Sequence, residues 1–242
     1  MAGCRCKVCR SRNPRDNRLR TAASLHFDSG EVVLIDTSTD LRAQALKFEI
    51  ERVDSVLFTH SHADHILGID DLRAYNFLQR EPIPCFGTTI TWDQIRRTFW
   101  YIFERDPGSA KSSIPSIIPN ILTPYEPITV FGETITPFPL EHGGMEVLGF
   151  KVRNVAYATD CNRIPERSLE LLRGLDCLIL DGIRFEPHPT HFSVPEAIAV
   201  AEEVKPRQTY LIHLTHSIDH EVDSLRLPTG IQFAYDGLEI TI

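Results

Sequence analysis

No uninterrupted apolar run in this 242-residue chain approaches the ~20 residues that a bilayer-spanning helix needs. The first twenty residues contain no apolar core of an export signal, so the expectation is a cytoplasmic protein with no membrane partner. A broad basic excess is missing too. The net charge of −8 is uneven: residues 1–20 carry Arg5, Lys7, Arg10, Arg12, Arg15, Arg18 and Arg20 against Asp16 alone, a local +6 that leaves −14 for the rest. An acidic body argues against nucleic acid as a partner, because duplex binding calls for a broad basic face. Internal repeats are absent. With 42% hydrophobic and 24% charged residues the chain is excluded from the disordered class and can build a core as a single domain over 1–242.

Three of the six cysteines are crowded into Cys4-Arg5-Cys6-Lys7-Val8-Cys9. That spacing strains intrachain disulfides but suits thiolates converging on one soft metal, which then needs a fourth ligand from elsewhere. Cys85, Cys161 and Cys177 sit in apolar surroundings and read as core fillers.

The ten histidines are clustered. Val53 to Phe58 reads as a buried strand and Ile69 to Leu78 has helical spacing; between them run His60, His62, Asp64 and His65. His60 and His62, two apart on extended chain, share a side, and Asp64 and His65 follow where the chain turns toward a second ion. Four ligand-type side chains in six residues at a strand end point to metal. Other apolar strands finish on His142, Asp160 and His213. Strands ending this way present their side chains at one rim of a sheet, and the whole set supplies seven ligands, which suits two metals sharing a carboxylate.

Thr21 to Phe27 and Glu31 to Asp36 predict a hairpin, Asp40 a helix cap, and Thr91-Trp92-Asp93-Gln94 a capping box opening a helix through Phe103. Residues 107–127, rich in Ser and Pro, predict an exposed loop. Strands are expected near 128–131, 134–139, 146–152, 154–159 and 177–181, and a second capping box, Ser193-Val194-Pro195-Glu196, opens a helix to about Val204. The aromatic helix at 92–103 reads either as packed on both sides or, with its neighbours over 87–127, as a cap on the metal site. The basic residues at 10–20 either frame an anionic pocket or cover the cysteine segment.

The His60 to His65 run resembles the His-x-His-x-Asp-His signature of the metallo-β-lactamase-fold hydrolases, with His142, Asp160 and His213 extending the likeness. The resemblance implies an α/β chain folded as a four-layer αββα sandwich. It implies His60, His62 and His142 on one ion, Asp64, His65 and His213 on the other, and Asp160 bridging them. Within that superfamily the sequence resembles the phosphoribosyl cyclic phosphate phosphodiesterases of the carbon–phosphorus lyase pathway. The features are Gly3-Cys4-x-Cys6-x-x-Cys9-x-Ser11-x-x-Pro14-Arg15, Thr59 to Arg73, and His188-Pro189-Thr190-His191-Phe192-Ser193. This likeness implies His216 as the fourth ligand of a structural zinc with Cys4, Cys6 and Cys9. It implies two catalytic divalent ions, manganese or zinc, and a small phosphodiester substrate attacked by a metal-bridging hydroxide. His191 is then the general acid and Asp64 belongs to the catalytic centre. Those relatives begin with a strand ahead of the cysteine segment; here either that strand is absent, and a sheet edge exposed thereby would favour a homodimer, or the chain start was assigned too late. A tRNA-processing-type endonuclease and a non-catalytic metal-binding module of a biosynthetic assembly are the competing readings.

Overall fold

The computed structural model describes residues 1–104 and 114–241, and they divide into two compact units, each α/β and each with its own sheet.

The unit of residues 20–123 is built on a five-stranded sheet. The expected hairpin is present as β1 (Ala23–His26) and β2 (Val32–Ile35), paired antiparallel. β3 (Ser55–Leu57), β4 (Ile83–Gly87) and β5 (Ile117–Ile121) then add in parallel, in the order β1-β2-β3-β4-β5. The helices are α1 (Leu41–Lys47), α2 (Ala63–Ile66), α3 (Leu72–Gln79), α4 (Thr89–Thr98) and α5 (Trp100–Phe103). Three buried strand residues (Val32, Leu34 and Val56), Phe58 just after β3 and the helix-side Ile69, Leu72, Trp92 and Ile95 share one core.

Four local expectations need correction here. Residues 117–121 form β5 rather than loop: the strand is the last in the sheet, and an edge position tolerates Pro119, which has no N–H to give a neighbour. Residues 105–113 of that expected loop, and of the expected cap, lie outside the described residues. The capping residue of α4 is Thr88, not Thr91; its hydroxyl accepts the Thr91 N–H at 3.1 Å, so the helix opens one turn earlier and turns Trp92 inward. The helix does not run unbroken to Phe103 but ends at Thr98, with Phe99 outside helical geometry before α5. Asp40 precedes α1 without capping it, because its carboxylate accepts the Arg20 N–H at 2.8 Å. The buried Trp92, Phe99 and Ile102 belong to this unit's own core, which favours packing over a cap.

The other unit comprises residues 1–19 and 124–242. Its seven-stranded sheet contains β6 (Ile128–Val130), β7 (Glu133–His142), β8 (Met145–Val152), β9 (Val155–Ala158), β10 (Cys177–Asp181), β11 (Gln208–Ile212) and β12 (Ile231–Phe233). They lie in reverse chain order, β12 to β6. From β6 to β9 neighbours are antiparallel; from β9 to β12 they are parallel. The connections carry α6 (Glu166–Leu172), α7 (Val194–Val204) and α8 (His220–Ser224). The predicted box on α7 is complete: Ser193 caps Glu196 N–H and Glu196 returns to Ser193 N–H. Leu178, Leu180 and Leu211 of the parallel strands pack with Val194, Ala197 and Val204 of α7, and Cys161 fills space among them. Cys85 and Cys177 are likewise buried, as expected. No helix among the described residues is long and apolar enough to cross a membrane.

Candidate metal centres

In the unit of residues 20–123, parallel pairing aligns Ile35 with Leu57, so the chains leaving β2 and β3 stay side by side. Asp36 leaves β2 with a positive φ of 66° and is fully buried. Its Oδ1 accepts the Thr59 N–H at 2.8 Å, and its Oδ2 accepts the Thr59 hydroxyl at 2.8 Å and faces His65 Nδ1 at 2.7 Å. Burial raises the pKa of Asp36, and His65 opposes that shift. A carboxylate accepts only, so His65 carries its proton on Nδ1, and its buried Nε2 is the candidate ligand nitrogen.

His62 occupies the N-cap position of α2, placing Asp64 in the first turn and His65 at its end. The His60 ring centroid lies 4.5 Å from that of His62 and 4.3 Å from that of His65. Three of the four predicted ligands are thereby gathered. His60 and His65 are buried, His62 is exposed, and Asp64 is partly buried beside Arg20 at 3.5 Å. Gly68 makes the turn after the motif possible. A Cβ there would lie 2.1 Å from the Ser38 carbonyl oxygen, on a segment whose Thr37 N–H bonds the His65 carbonyl at 2.8 Å.

In the other unit the ligand-type residues come from separate strands. β7 and β9 run the same way through the intervening β8, and β9, β10 and β11 are parallel, so their C-terminal ends share one rim. His142 ends β7, Asp160 follows β9, Asp181 ends β10 and His213 follows β11. This is the rim expected from apolar runs that finish on His or Asp. Asp160 and His213 have φ of 52° and 60°. Such backbone persists only where surroundings hold it, and both residues are candidate ligands.

Three side chains at this rim have a local brace. Asp160 accepts the Thr159 hydroxyl at 2.7 Å, and His142 Nδ1 meets the Thr190 carbonyl at 2.7 Å. His191 Nδ1 lies 2.7 Å from Asp181 Oδ2, which also accepts the Cys161 N–H at 2.9 Å. Burial pushes the carboxyl pKa of Asp181 well up. Donor atoms of Asp160, His191 and His213 all lie within 4.8 Å of one another, and the rings of His191 and His213 stack at 4.7 Å. Asp36, Asp181 and the Thr190 carbonyl escaped the sequence reading. The two acids were detectable, since each directly follows an apolar run (Val32 to Ile35, Leu178 to Leu180), the pattern that singled out Asp160.

The same unit gathers Cys4, Cys6, Cys9 and His216, whose donor atoms lie within 4.8 Å of one another. His216 Nδ1 is 3.6 Å from Cys4 Sγ and 3.5 Å from Cys6 Sγ. The backbone N–H of Cys9, with His216, brings the Cys6 thiol pKa down to about 6, so the thiolate that a soft metal needs is favoured. Three thiolates and one imidazole are the donor set of a tetrahedral zinc site. As for the basic segment, Lys7 pairs with Asp219 at 2.8 Å, Arg15 lies over the Tyr235 ring, and Arg18 bonds the loop that carries His216.

Residues 31–214 match the sequence model of the beta-lactamase superfamily domain, and the chain belongs to that superfamily. Its fold is the metallo-β-lactamase fold. More particularly, it is related to the PhnP family. A crystal structure described as a new diphosphatase from that family is 39% identical, with a TM-score of 0.90 over 98% of this chain and 89% of the other. An octanoyltransferase of Porphyromonas gingivalis is 34% identical over 99% of this chain but only 48% of its own length. A ribonuclease Z of Methanocaldococcus jannaschii is 31% identical over 54% of this chain and 41% of its own. The chain thus spans about half the length, or less, of these curated relatives.

Proposed function

We propose that this chain is a phosphodiesterase for small phosphodiesters, cyclic ribosyl phosphates among them, and that its two units act as one hydrolase domain. His60, His62 and His142 would hold one ion, Asp64, His65 and His213 a second, and Asp160 both; Cys4, Cys6, Cys9 and His216 would hold a structural zinc. The imidazole and carboxylate donors suit manganese or zinc at the catalytic pair. When bound, two such ions bring a water pKa from ~15.7 toward ~7 and offset the charge that gathers on phosphorus. The observation that carries the reading is the group Asp160, His191 and His213 at one rim, with His191 backed by the buried Asp181.

The chain's own part in the reaction is largely proton handling. Asp181 keeps the His191 proton on Nδ1 when the ring is neutral and stabilises the ring when Nε2 is protonated as well. Nε2 is then the atom that gives a proton to a departing sugar oxygen, a poor leaving group as an alkoxide. Similarity to the PhnP-family diphosphatase supports hydrolysis at phosphorus.

Metal analysis of purified protein, with turnover of a bis-aryl phosphodiester by manganese- and zinc-loaded protein, tests this. The expected outcome is three ions per chain and metal-dependent turnover. One ion only, or no turnover of any cyclic or linear diester, overturns it and favours a non-catalytic module. Likeness to ribonuclease Z favours RNA as a second reading, against which stands the −14 charge outside residues 1–20. A salt-dependent RNA gel shift would establish that second reading.

A further inference from the structure

We propose that Arg18 is a positioning residue for His213, fixing from the cysteine segment the loop on which that candidate ligand stands. The inference rests on the assignment of His213 as a metal ligand. Arg18 is the one basic residue of the segment whose guanidinium is largely buried among the loop's backbone: its side chain is 13% exposed and that of its partner Asp16 is 2% exposed. Nη1 donates to the Thr215 carbonyl at 2.7 Å, and Nη2 donates to the Ile218 carbonyl at 2.8 Å and to Asp16 Oδ1 at 3.3 Å. Asp16 Oδ1 in turn accepts the His220 N–H at 2.9 Å, which closes the bracket at the far end of the loop. From the sheet side, the Thr215 N–H bonds the Ile183 carbonyl at 2.9 Å.

The loop therefore stands between two braces, and it carries two functional histidines. His216 faces the cysteines, while His213 sits two residues before the first clamped carbonyl, with a φ of 60°. A side chain on left-handed backbone is aimed only as well as that backbone is held. A lysine cannot reproduce the geometry, because one ammonium on a flexible stem cannot replace a planar fork spanning two carbonyls. Removing the fork takes the guanidinium donor from the Ile218 carbonyl and leaves the Thr215 carbonyl to the longer turn bond from the Ile218 N–H at 3.3 Å, and the loop relaxes toward unstrained φ.

The test compares wild type, Arg18→Ala, Arg18→Lys and, as a control on the same segment, Lys7→Ala, which removes only the exposed pair with Asp219. The readouts are melting temperature, cobalt(II) affinity with the spectrum of the ion at the histidine site, and amide exchange of residues 213–218 in the metal-free protein. Arg18→Ala should weaken the histidine-site ion by roughly 10–100-fold, the range for losing an outer brace of a ligand. It should also speed exchange across 213–218, with Arg18→Lys intermediate and Lys7→Ala like wild type. A lower melting temperature with histidine-site affinity within twofold of wild type would overturn the proposal and leave Arg18 a purely structural residue. Should Arg18→Ala not fold, the same criterion applies to Arg18→Lys. Wild type holding no ion beyond the cysteine-bound one would instead overturn the ligand assignment, and this proposal with it.

Discussion

The two sets of candidate site residues are built on opposite plans. His60, His62, Asp64 and His65 come from one six-residue stretch, stiffened by a single buried carboxylate, Asp36. His142, Asp160, His191 and His213 come from four separate places in the chain and are braced one at a time by Thr190, Thr159, Asp181 and the loop after β11. A contiguous motif gets its geometry from local chain and one partner, so damage to that partner spreads to all of it. A dispersed set gets its geometry from strand register, so damage stays with one member.

The sharpest way to exploit the contrast is a member whose role is chemical rather than architectural. His191→Ala should keep the metal but lower turnover of a sugar phosphodiester by roughly 10²–10⁴-fold. Nitrophenyl esters, whose leaving group needs no proton, should lose much less in the same steady-state assay. Equal losses on both would remove the acid role and with it the distinct function of that strand rim.

Next in size is the shared brace. Asp36→Asn replaces an all-acceptor group by one that turns N–H groups toward the Thr59 donors or toward His65 Nδ1. Metal affinity should fall by about 10–100-fold in a competition titration. Thr159→Ala, which removes a single bond to Asp160, should cost less. The reverse ranking would break the comparison.

Gly68→Ala tests whether the contiguous motif depends on close backbone approach. A methyl group 2.1 Å from the Ser38 carbonyl oxygen forces the 37–41 segment away, and chemical denaturation should register about 1–3 kcal/mol of lost stability. The smallest effect concerns pH. His220 is buried with its Nε2 3.3 Å from the Phe233 carbonyl, and burial lowers its pKa below the ordinary 6.5. The unfolded chain then binds the proton more readily, so stability is full above pH 6.5 and falls as pH drops through the lowered folded value. His220→Gln should flatten that part of a stability–pH curve measured by denaturant melts.

How far each plan was legible follows from its range. The His60 to His65 motif, the cysteine triplet, the Ser193 capping box and the strands from 128 to 181 are short-range patterns, and they emerged where expected. The misread features each depended on a distant partner. Thr88 rather than Thr91 starts α4 because Trp92 has to face a core assembled from Val32 to Ile102. Residues 117–121 become a strand because β4 offers an open edge, whatever the Pro119 in that segment implies locally. Asp40 gave up its capping role to a backbone N–H twenty residues away.

The residues alone therefore determined which chemistry the chain can carry: imidazole and carboxylate donors at strand ends, thiolates at close spacing, and an acidic body. Tertiary structure alone decided how those groups are held. Asp36 on His65, Asp181 on His191 and Arg18 on the loop of His213 are contacts between segments remote in sequence. Hydrogen-bond partners and left-handed backbone at Asp36, Asp160 and His213 arise only once strand pairing brings those segments together, and no local pattern encodes them.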